Sequence, residues 1–197
     1  MFVANKFHAA AELVDVVKKI KSEFPTFRVS HKDEYWLMKV IDVFLKVITF
    51  GRMKTFLTGY TTTIGTKVYV PRSWVSNKTS LEKAVTLRHE AVHMRQRARM
   101  GAILYSLTYL FWVFPVGLAL GRRNLEQEAY VETMKAYVEY YGVERVEDPE
   151  VRARIISHFT SADYFWTWPF RKDCEHWYDG VVASLTPAEV PGAKAKG

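Results

Sequence analysis

Residues 88–96 read RHEAVHMRQ, and the spacing of the two histidines decides how the rest of the chain is interpreted. On a helix, residues four apart lie on one face, so His89 and His93 can both reach a single metal ion. Glu90 faces the same cleft without facing the ion, which suits a general base acting on a metal-activated water. The pattern therefore predicts two zinc ligands and a catalytic base on one helix.

The segments around this motif are typical of a helix that follows a strand. Thr79 or Ser80 can cap a helix that runs from about residue 81 to about residue 100, with Glu82 in its first turn. Upstream, residues 61–71 (TTTIGTKVYVP) alternate apolar and polar side chains and end at a proline, which predicts a strand.

A catalytic zinc takes three protein ligands and keeps its fourth position for water, so a third ligand is needed. The residues just after His93 offer none, but an amphipathic helix is predicted over residues 124–142, ending at Gly142. Glu126 and Glu128 lie roughly 200° apart on that helix, so only one of them can face the ion. The residues alone leave both open.

The combination of HEAVH with EAYVE at residues 128–132 resembles the gluzincin metallopeptidases, including the minimal gluzincins and the anthrax lethal-factor protease domain. The resemblance covers roughly residues 60–135 and implies one Zn²⁺ per chain. The implied ligands are His89, His93 and Glu128, with Glu126 as the alternate third ligand. Glu90 is then the base, and Glu132 becomes a nearby carboxylate that orients a liganding histidine.

The resemblance also implies an oxyanion-stabilising side chain and a strand that binds extended substrate by strand addition. The oxyanion candidates, of equal weight, are Tyr164, His158 and His176. The segment TTTIGTKVYVP resembles the substrate-binding edge strand, with Ile64, Lys67 and Tyr69 as its contact residues.

The expected fold is α+β, with a zincin-like core that comprises a small mixed sheet, the HExxH helix and the Glu-bearing helix. We expect one domain over residues 1–185, with additional helices at both ends. Its expected parts are an N-terminal helical part (1–55), the metallopeptidase core (56–142), a C-terminal helical cap (143–185) and a flexible tail (186–197).

Composition narrows the class of protein. With 197 residues, 49% of them hydrophobic, the chain can bury a large core, and its one cysteine, Cys174, excludes an internal disulfide framework. The net charge of +7 is spread along the chain without interleaved aromatics, so we do not expect nucleic acid as a partner. No signal peptide is evident, and we expect a cytoplasmic or virion-associated protein.

Residues 102–120 carry no charge over nineteen positions, which is long enough for a membrane span. A single crossing would separate the two halves of the zinc site, and Pro115 and Gly117 interrupt the segment. We therefore favour a buried helix and loop, or an apolar surface that makes peripheral contact with a membrane or a partner.

The predicted function is that of a zinc metalloendopeptidase, a hydrolase of peptide bonds. The expected substrate is a protein or peptide, with a peptidoglycan peptide as one option. The alternative is a zinc-binding structural or interaction protein, virion- or membrane-associated, with weak or no catalysis. Glu90 favours the enzyme, since a structural site needs the ligands but not the base.

Overall fold

A computed structural model describes residues 2–48, 51, 55–110, 119–161 and 168–186, with the side chains of residues 2–7, 48 and 110 excepted. Its helices are α1 (Phe2–Glu23), α2 (Trp36–Ile48), α3 (Phe56–Gly59), α4 (Arg72–Asn77), α5 (Ser80–Met100), α6 (Ala102–Leu110), α7 (Leu120–Tyr141), α8 (Glu144–Glu147), α9 (Pro149–Thr160) and α10 (Arg171–Leu185). Its strands are β1 (Arg28–His31), β2 (Thr62–Ile64) and β3 (Lys67–Val70). The fold is α+β and mostly helical.

The three strands form a small mixed sheet in the order β1-β3-β2. β1 runs parallel to β3, with Val29 opposite Val68, whereas β2 runs antiparallel to β3, with Thr63 opposite the same Val68. The strand predicted over residues 61–71 is therefore a hairpin. Its two-residue loop contains Gly65, whose φ of +66° lies in the left-handed region that favours glycine.

One face of the sheet packs on α1 and α5. Val68 and Val70 of β3 join a buried cluster with Ile20 of α1 and with Leu87 and Ala91 of α5. The predicted N-terminus of α5 is confirmed, because Thr79 and Glu82 form a capping box. This cluster anchors the helix that carries HEAVH.

The other face of the sheet packs on α2. Tyr69 of β3 lies in a cluster with Met38 of α2 and Phe56 of α3, and its ring meets that of Tyr35 edge to face, with the ring centroids 5.0 Å apart. Because side chains alternate along a strand, Val68 and Tyr69 necessarily face opposite layers. The sheet is thus sandwiched between α1 and α5 on one side and α2 on the other.

The C-terminal helices form a second core against the end of α7. Met134 of α7 packs with Ile156 of α9 and Tyr178 of α10, and the Tyr178 hydroxyl donates a 2.7 Å hydrogen bond to the Val146 carbonyl. The predicted end of α7 at Gly142 is confirmed, with Gly142 at φ +89°. α7 therefore links the α5 layer to the C-terminal helices.

The structure differs from the predicted organisation in one detail and leaves another untested. The N-terminal part (1–55) is not only helical, because β1 lies within it and pairs with β3. It thereby contributes to the sheet of the predicted core. The predicted tail (186–197) lies outside the described residues except for Thr186, at the end of α10.

Only part of the apolar segment 102–120 is described. Its first half forms α6, whose Ile103, Leu104 and Leu107 are exposed, so of the two alternatives this half matches the apolar surface and not the buried helix. Residues 111–118 lie outside the described residues. Among the described helices, none is both long enough and apolar enough to cross a membrane.

Candidate metal centre

Three ligand-type side chains converge between α5 and α7. The Nε2 atoms of His89 and His93 lie 3.2 Å apart, and each lies 3.7 Å from Oε2 of Glu126. Two atoms bound about 2.0–2.1 Å from a tetrahedral zinc would lie roughly 3.3–3.4 Å apart. Within the described part of the chain, no other three His, Cys, Asp or Glu side chains converge in this way.

Each histidine is held through its other ring nitrogen. Nδ1 of His89 lies 3.0 Å from the Thr133 hydroxyl, which itself donates to the Ala129 carbonyl, so the imidazole N–H is the donor in this pair. Nδ1 of His93 lies 2.9 Å from Oε1 of Gln96. Both contacts place the N–H at Nδ1 and leave the Nε2 lone pairs directed at the common point.

The orientation of the Gln96 side-chain amide is determined by its contacts. It is completely buried, and its Nε2 donates to the Leu125 carbonyl at 2.9 Å and to Glu128 at 3.1 Å. The amide oxygen is therefore the atom left to accept from His93. One residue of α5 thus orients a histidine one turn before it on the same helix.

The electrostatics of the group favour positive charge between its members. Burial opposes a charged His93 ring, but the adjoining Glu126 carboxylate outweighs it and raises the pKa of His93 to about 9. Burial alone would likewise raise the pKa of Glu126, whereas the two histidines hold it well below its usual value. Positive charge between the three groups, carried by a proton on His93 or by a metal ion in its place, offsets the negative charge of Glu126.

Glu90 lies beside the group and next to the sheet. It is buried, and its Oε2 accepts a 2.6 Å hydrogen bond from the Thr63 hydroxyl of β2. The carboxylate therefore faces the edge strand, with His89 as its neighbour along α5. This is the location expected of a base that acts on a substrate lying along β2.

The third member of the group is Glu126, not Glu128 as the resemblance implied. Glu128 forms an ion pair with Arg99 at 2.9 Å, and its side chain is 45% exposed against 15% for Glu126. Arg99, at the end of α5, pairs with Glu128, while the histidines one to three turns earlier meet Glu126. With Glu126 in the group, the residue four positions on is Tyr130, so the Glu-x-x-x-Glu likeness no longer applies to the converging carboxylate.

The role expected of Glu132 is also wrong. Its Oε1 accepts a 2.8 Å hydrogen bond from Nε of Arg88, so it pairs α7 with α5 rather than orienting a histidine. Thr133 and Gln96 orient the histidines instead. Neither was singled out from the sequence, although Gln96, three residues after His93, lies on the face of the helix that carries it.

Tyr109, which was not singled out from the sequence, contacts the carboxylate of the group. The Tyr109 hydroxyl of α6 donates a 2.5 Å hydrogen bond to Oε1 of Glu126, the carboxylate oxygen that does not face the histidines. Its ring also lies edge to face with that of His93, with the ring centroids 6.0 Å apart. Burial and the Glu126 carboxylate raise the pKa of Tyr109 well above its usual value, so the hydroxyl remains a donor.

The three oxyanion candidates fall in different places. His158 of α9 packs on Tyr130 at 5.3 Å, and Tyr130 packs on His89 at 4.8 Å, so His158 lies one ring away from the group. His176 is exposed on α10, in the C-terminal helices, and has no contact with the group. Tyr164 lies outside the described residues.

Of the three residues predicted to lie on the substrate-binding edge strand, only one lies on an edge strand in the structure. Lys67 and Tyr69 belong to β3, the central strand, and Tyr69 is buried under α2, so neither is an edge residue. Ile64 belongs to β2, which is an edge strand and is the strand that carries Thr63. The edge facing Glu90 is therefore formed by residues 62–64.

Three arginines of α5 form ion pairs with the neighbouring helices. Arg88 contacts Glu132 and Glu139 of α7, and Arg95 makes a two-pronged pair with Glu23 of α1 at 2.7 and 2.9 Å. Together with the Arg99–Glu128 pair, these contacts link α5 to its two neighbours.

No protein-family model, no curated protein and no solved structure matches the chain. The interpretation of the site therefore depends on the chain's own residues. The observations that carry it are the converging Nε2 atoms, the buried Glu126 and the base-like position of Glu90 beside β2.

Proposed function

We propose that the chain is a zinc-dependent metallopeptidase in which His89, His93 and Glu126 hold one Zn²⁺ and Glu90 is the general base. The observation that carries the proposal is the convergence of two oriented imidazole nitrogens and one largely buried carboxylate within 4.8 Å of one another. Two histidines and one glutamate form a donor set typical of a catalytic zinc with an open fourth position. The gluzincin resemblance of HEAVH adds to this, with Glu126 replacing Glu128.

A bound zinc would supply Lewis acidity to a substrate carbonyl and lower the pKa of a coordinated water towards ~7. The chain's own residues supply the rest. Glu90 accepts the proton from the attacking water and passes it to the departing amine. The Thr63 hydroxyl holds this carboxylate against β2.

The open edge of β2 supports a peptide as the substrate. The three-residue strand Thr62–Ile64 has its inner edge paired with β3, and no described residue pairs with its outer edge. An extended peptide that adds to this edge would lie beside Glu90, since Thr63 contacts that carboxylate. Proteins and peptides, including a peptidoglycan peptide, fit this arrangement as substrates.

The test is hydrolysis of a mixed peptide library by the zinc-loaded full-length chain, compared with Glu90→Gln. We expect cleavage by the wild type and a loss of roughly 10²–10⁴-fold in the variant, the usual contribution of a general base. Zinc content should be equal in the two proteins, because Glu90 is not a ligand.

Two outcomes would contradict the enzymatic proposal. Cleavage that persists unchanged in Glu90→Gln would indicate a contaminating peptidase. A zinc-loaded wild type that cleaves no library member would favour the alternative, a zinc-binding structural or interaction protein. Thr63→Val is the matched control for the Glu90→Gln variant. It keeps the Glu90 carboxylate and removes only the hydrogen bond that Thr63 donates to it.

A further inference from the structure

The outer face of α2 is apolar and uncovered. Six large apolar side chains of this helix are between 38% and 73% exposed: Trp36, Leu37, Val40, Val43, Phe44 and Val47. Isolated exposed apolar residues are ordinary on a protein surface, but a contiguous patch marks a binding surface. We call these six residues the α2 face.

The α2 face is continuous around the helix. At about 100° per residue, the six side chains cover roughly 120° of the helix circumference. The opposite side, with Met38, Ile41 and Leu45, packs on the sheet and on α3. α2 is therefore apolar on both sides, and only the inner side is explained by the fold.

The exposed charges of α2 itself are basic. From Trp36 to Val47, the exposed side chains of α2 that do not belong to the α2 face are Lys39 and Lys46. Both lie along the same border of the α2 face. Asp42, the one acidic residue of the helix, is buried and accepts from Lys46 at 2.6 Å. Just before the helix, Asp33 and Glu34 are paired with Arg72. The α2 face thus presents apolar surface and lysines but no unpaired carboxylate of its own helix.

We propose that the α2 face docks this protein on an anionic lipid surface. A helix with aromatic and aliphatic residues on one face and lysines at its border is typical of a segment that lies in the membrane interface. Trp36, at 73% exposure the most exposed of the six, is of a residue type that favours the interface. The net charge of +7 attracts the chain to negatively charged headgroups.

A second copy of the chain fits the α2 face less well. It would bring a second Lys39 and no exposed carboxylate from α2 to receive it, because Asp42 is buried and paired with Lys46, whereas an anionic headgroup layer would receive it. α6 also exposes apolar residues, namely Ile103, Leu104 and Leu107, but it carries no basic residue. α6 therefore serves as the control surface.

The test is flotation of the full-length chain with vesicles of phosphatidylcholine and phosphatidylserine in a two-to-one ratio, and with vesicles of phosphatidylcholine alone. We expect binding to the anionic vesicles to fall at least roughly tenfold in the double variant Val40→Ser, Phe44→Ser, which removes two inserted apolar side chains. Lys39→Gln should weaken it by about fivefold, the effect of one lysine at an anionic surface.

The matched control is the double variant Leu104→Ser, Leu107→Ser on α6, which should bind as the wild type does. His93→Ala should also bind normally, so this proposal and the zinc proposal fail independently. All substituted residues of α2 and α6 are exposed, and circular dichroism checks that each variant is folded.

Three results would overturn the proposal. The first is a wild type that binds neither vesicle, and the second is loss of binding in the α6 variant but not in the α2 variant. The third is a wild-type dimer in analytical ultracentrifugation that becomes monomeric in the α2 variant without any vesicle binding. That last result would assign the α2 face to a second copy of the chain.

Discussion

Two regions of the molecule depart from the usual rule that apolar side chains are buried and charged ones exposed. They are the space between α5 and α7 and the outer face of α2, and they depart from it in opposite directions. Between α5 and α7, titratable groups are buried: Glu90 and His93 are under a tenth exposed. On α2, large apolar groups are exposed, with Val47 68% accessible. Buried polar groups and exposed apolar patches are the two departures that carry information about function. Under the two proposals above, the first region binds a metal ion inside the fold, and the second contacts a lipid surface outside it.

The largest expected effect separates apolar groups that hold the fold from those that do not. Leu87→Ala removes a side chain that is 1% exposed in the cluster between α5 and the sheet, and should lower the free energy of unfolding by about 2–5 kcal/mol. Phe44→Ser, at 60% exposure on the α2 face, should change it by less than about 0.5 kcal/mol. Urea unfolding measures both. A large loss in Phe44→Ser would mean that the α2 face contributes to the fold after all.

A smaller effect is expected from the residues that orient the histidines. Gln96→Leu removes the acceptor of His93 Nδ1, and Thr133→Val removes the acceptor of His89 Nδ1. Each should weaken zinc binding by roughly 10–100-fold, the usual effect of losing a group that orients a ligand. Competition with a chromophoric chelator measures the affinity. The control is Thr86→Val, because the Thr86 hydroxyl bonds to the Glu82 carbonyl and not to the group. Equal affinities in all four proteins would contradict the role assigned to Gln96 and Thr133.

The smallest effect concerns a buried charge beneath α2. Lys32 is 1% exposed, and burial lowers its pKa from 10.5 to about 7, although its Nζ donates to the Phe56 carbonyl at 2.9 Å. Between these two pKa values the unfolded chain binds more protons than the folded one, so stability should rise as the pH rises. Below pH 7 Lys32 is protonated in both the folded and the unfolded state, so this residue no longer makes the stability depend on pH.

Lys32→Met should remove that rise. Between pH 7 and pH 9, the wild type should gain stability over Lys32→Met by at least about 1 kcal/mol, measured by urea unfolding at both pH values. Lys78→Met is an informative comparison, since burial lowers the pKa of Lys78 as well, though without a large shift. Parallel pH profiles for the wild type and Lys32→Met would show that Lys32 is not buried in the way described.

The elements around the motif were predictable because their signals are local. The capping box at Thr79 and Glu82, the helix through HEAVH and the end of α7 at Gly142 each depend on a few neighbouring residues. The hairpin at Gly65 was missed because alternation continues through both strands, although a glycine followed by a polar residue is a known signal for a two-residue loop.

The choice between Glu126 and Glu128 could not be made from the sequence. Helix geometry shows that only one carboxylate faces the histidines, but the rotation of α7 against α5 decides which one. That rotation depends on contacts distant in sequence, such as Arg88 with Glu132 and Arg99 with Glu128. Tyr109 was missed for the same reason, because its contact with Glu126 exists only once α6 folds back between α5 and α7.

The most direct test of the account is the zinc content of the purified chain, measured by mass spectrometry for the wild type, Glu126→Ala and Glu128→Ala. The two variants make the same chemical change two residues apart on one helix, so they form a matched pair. We predict about one zinc per chain in the wild type and in Glu128→Ala, and almost none in Glu126→Ala. Zinc retained in Glu126→Ala but lost in Glu128→Ala, or a wild type that takes up no zinc when it is supplied, would contradict the account.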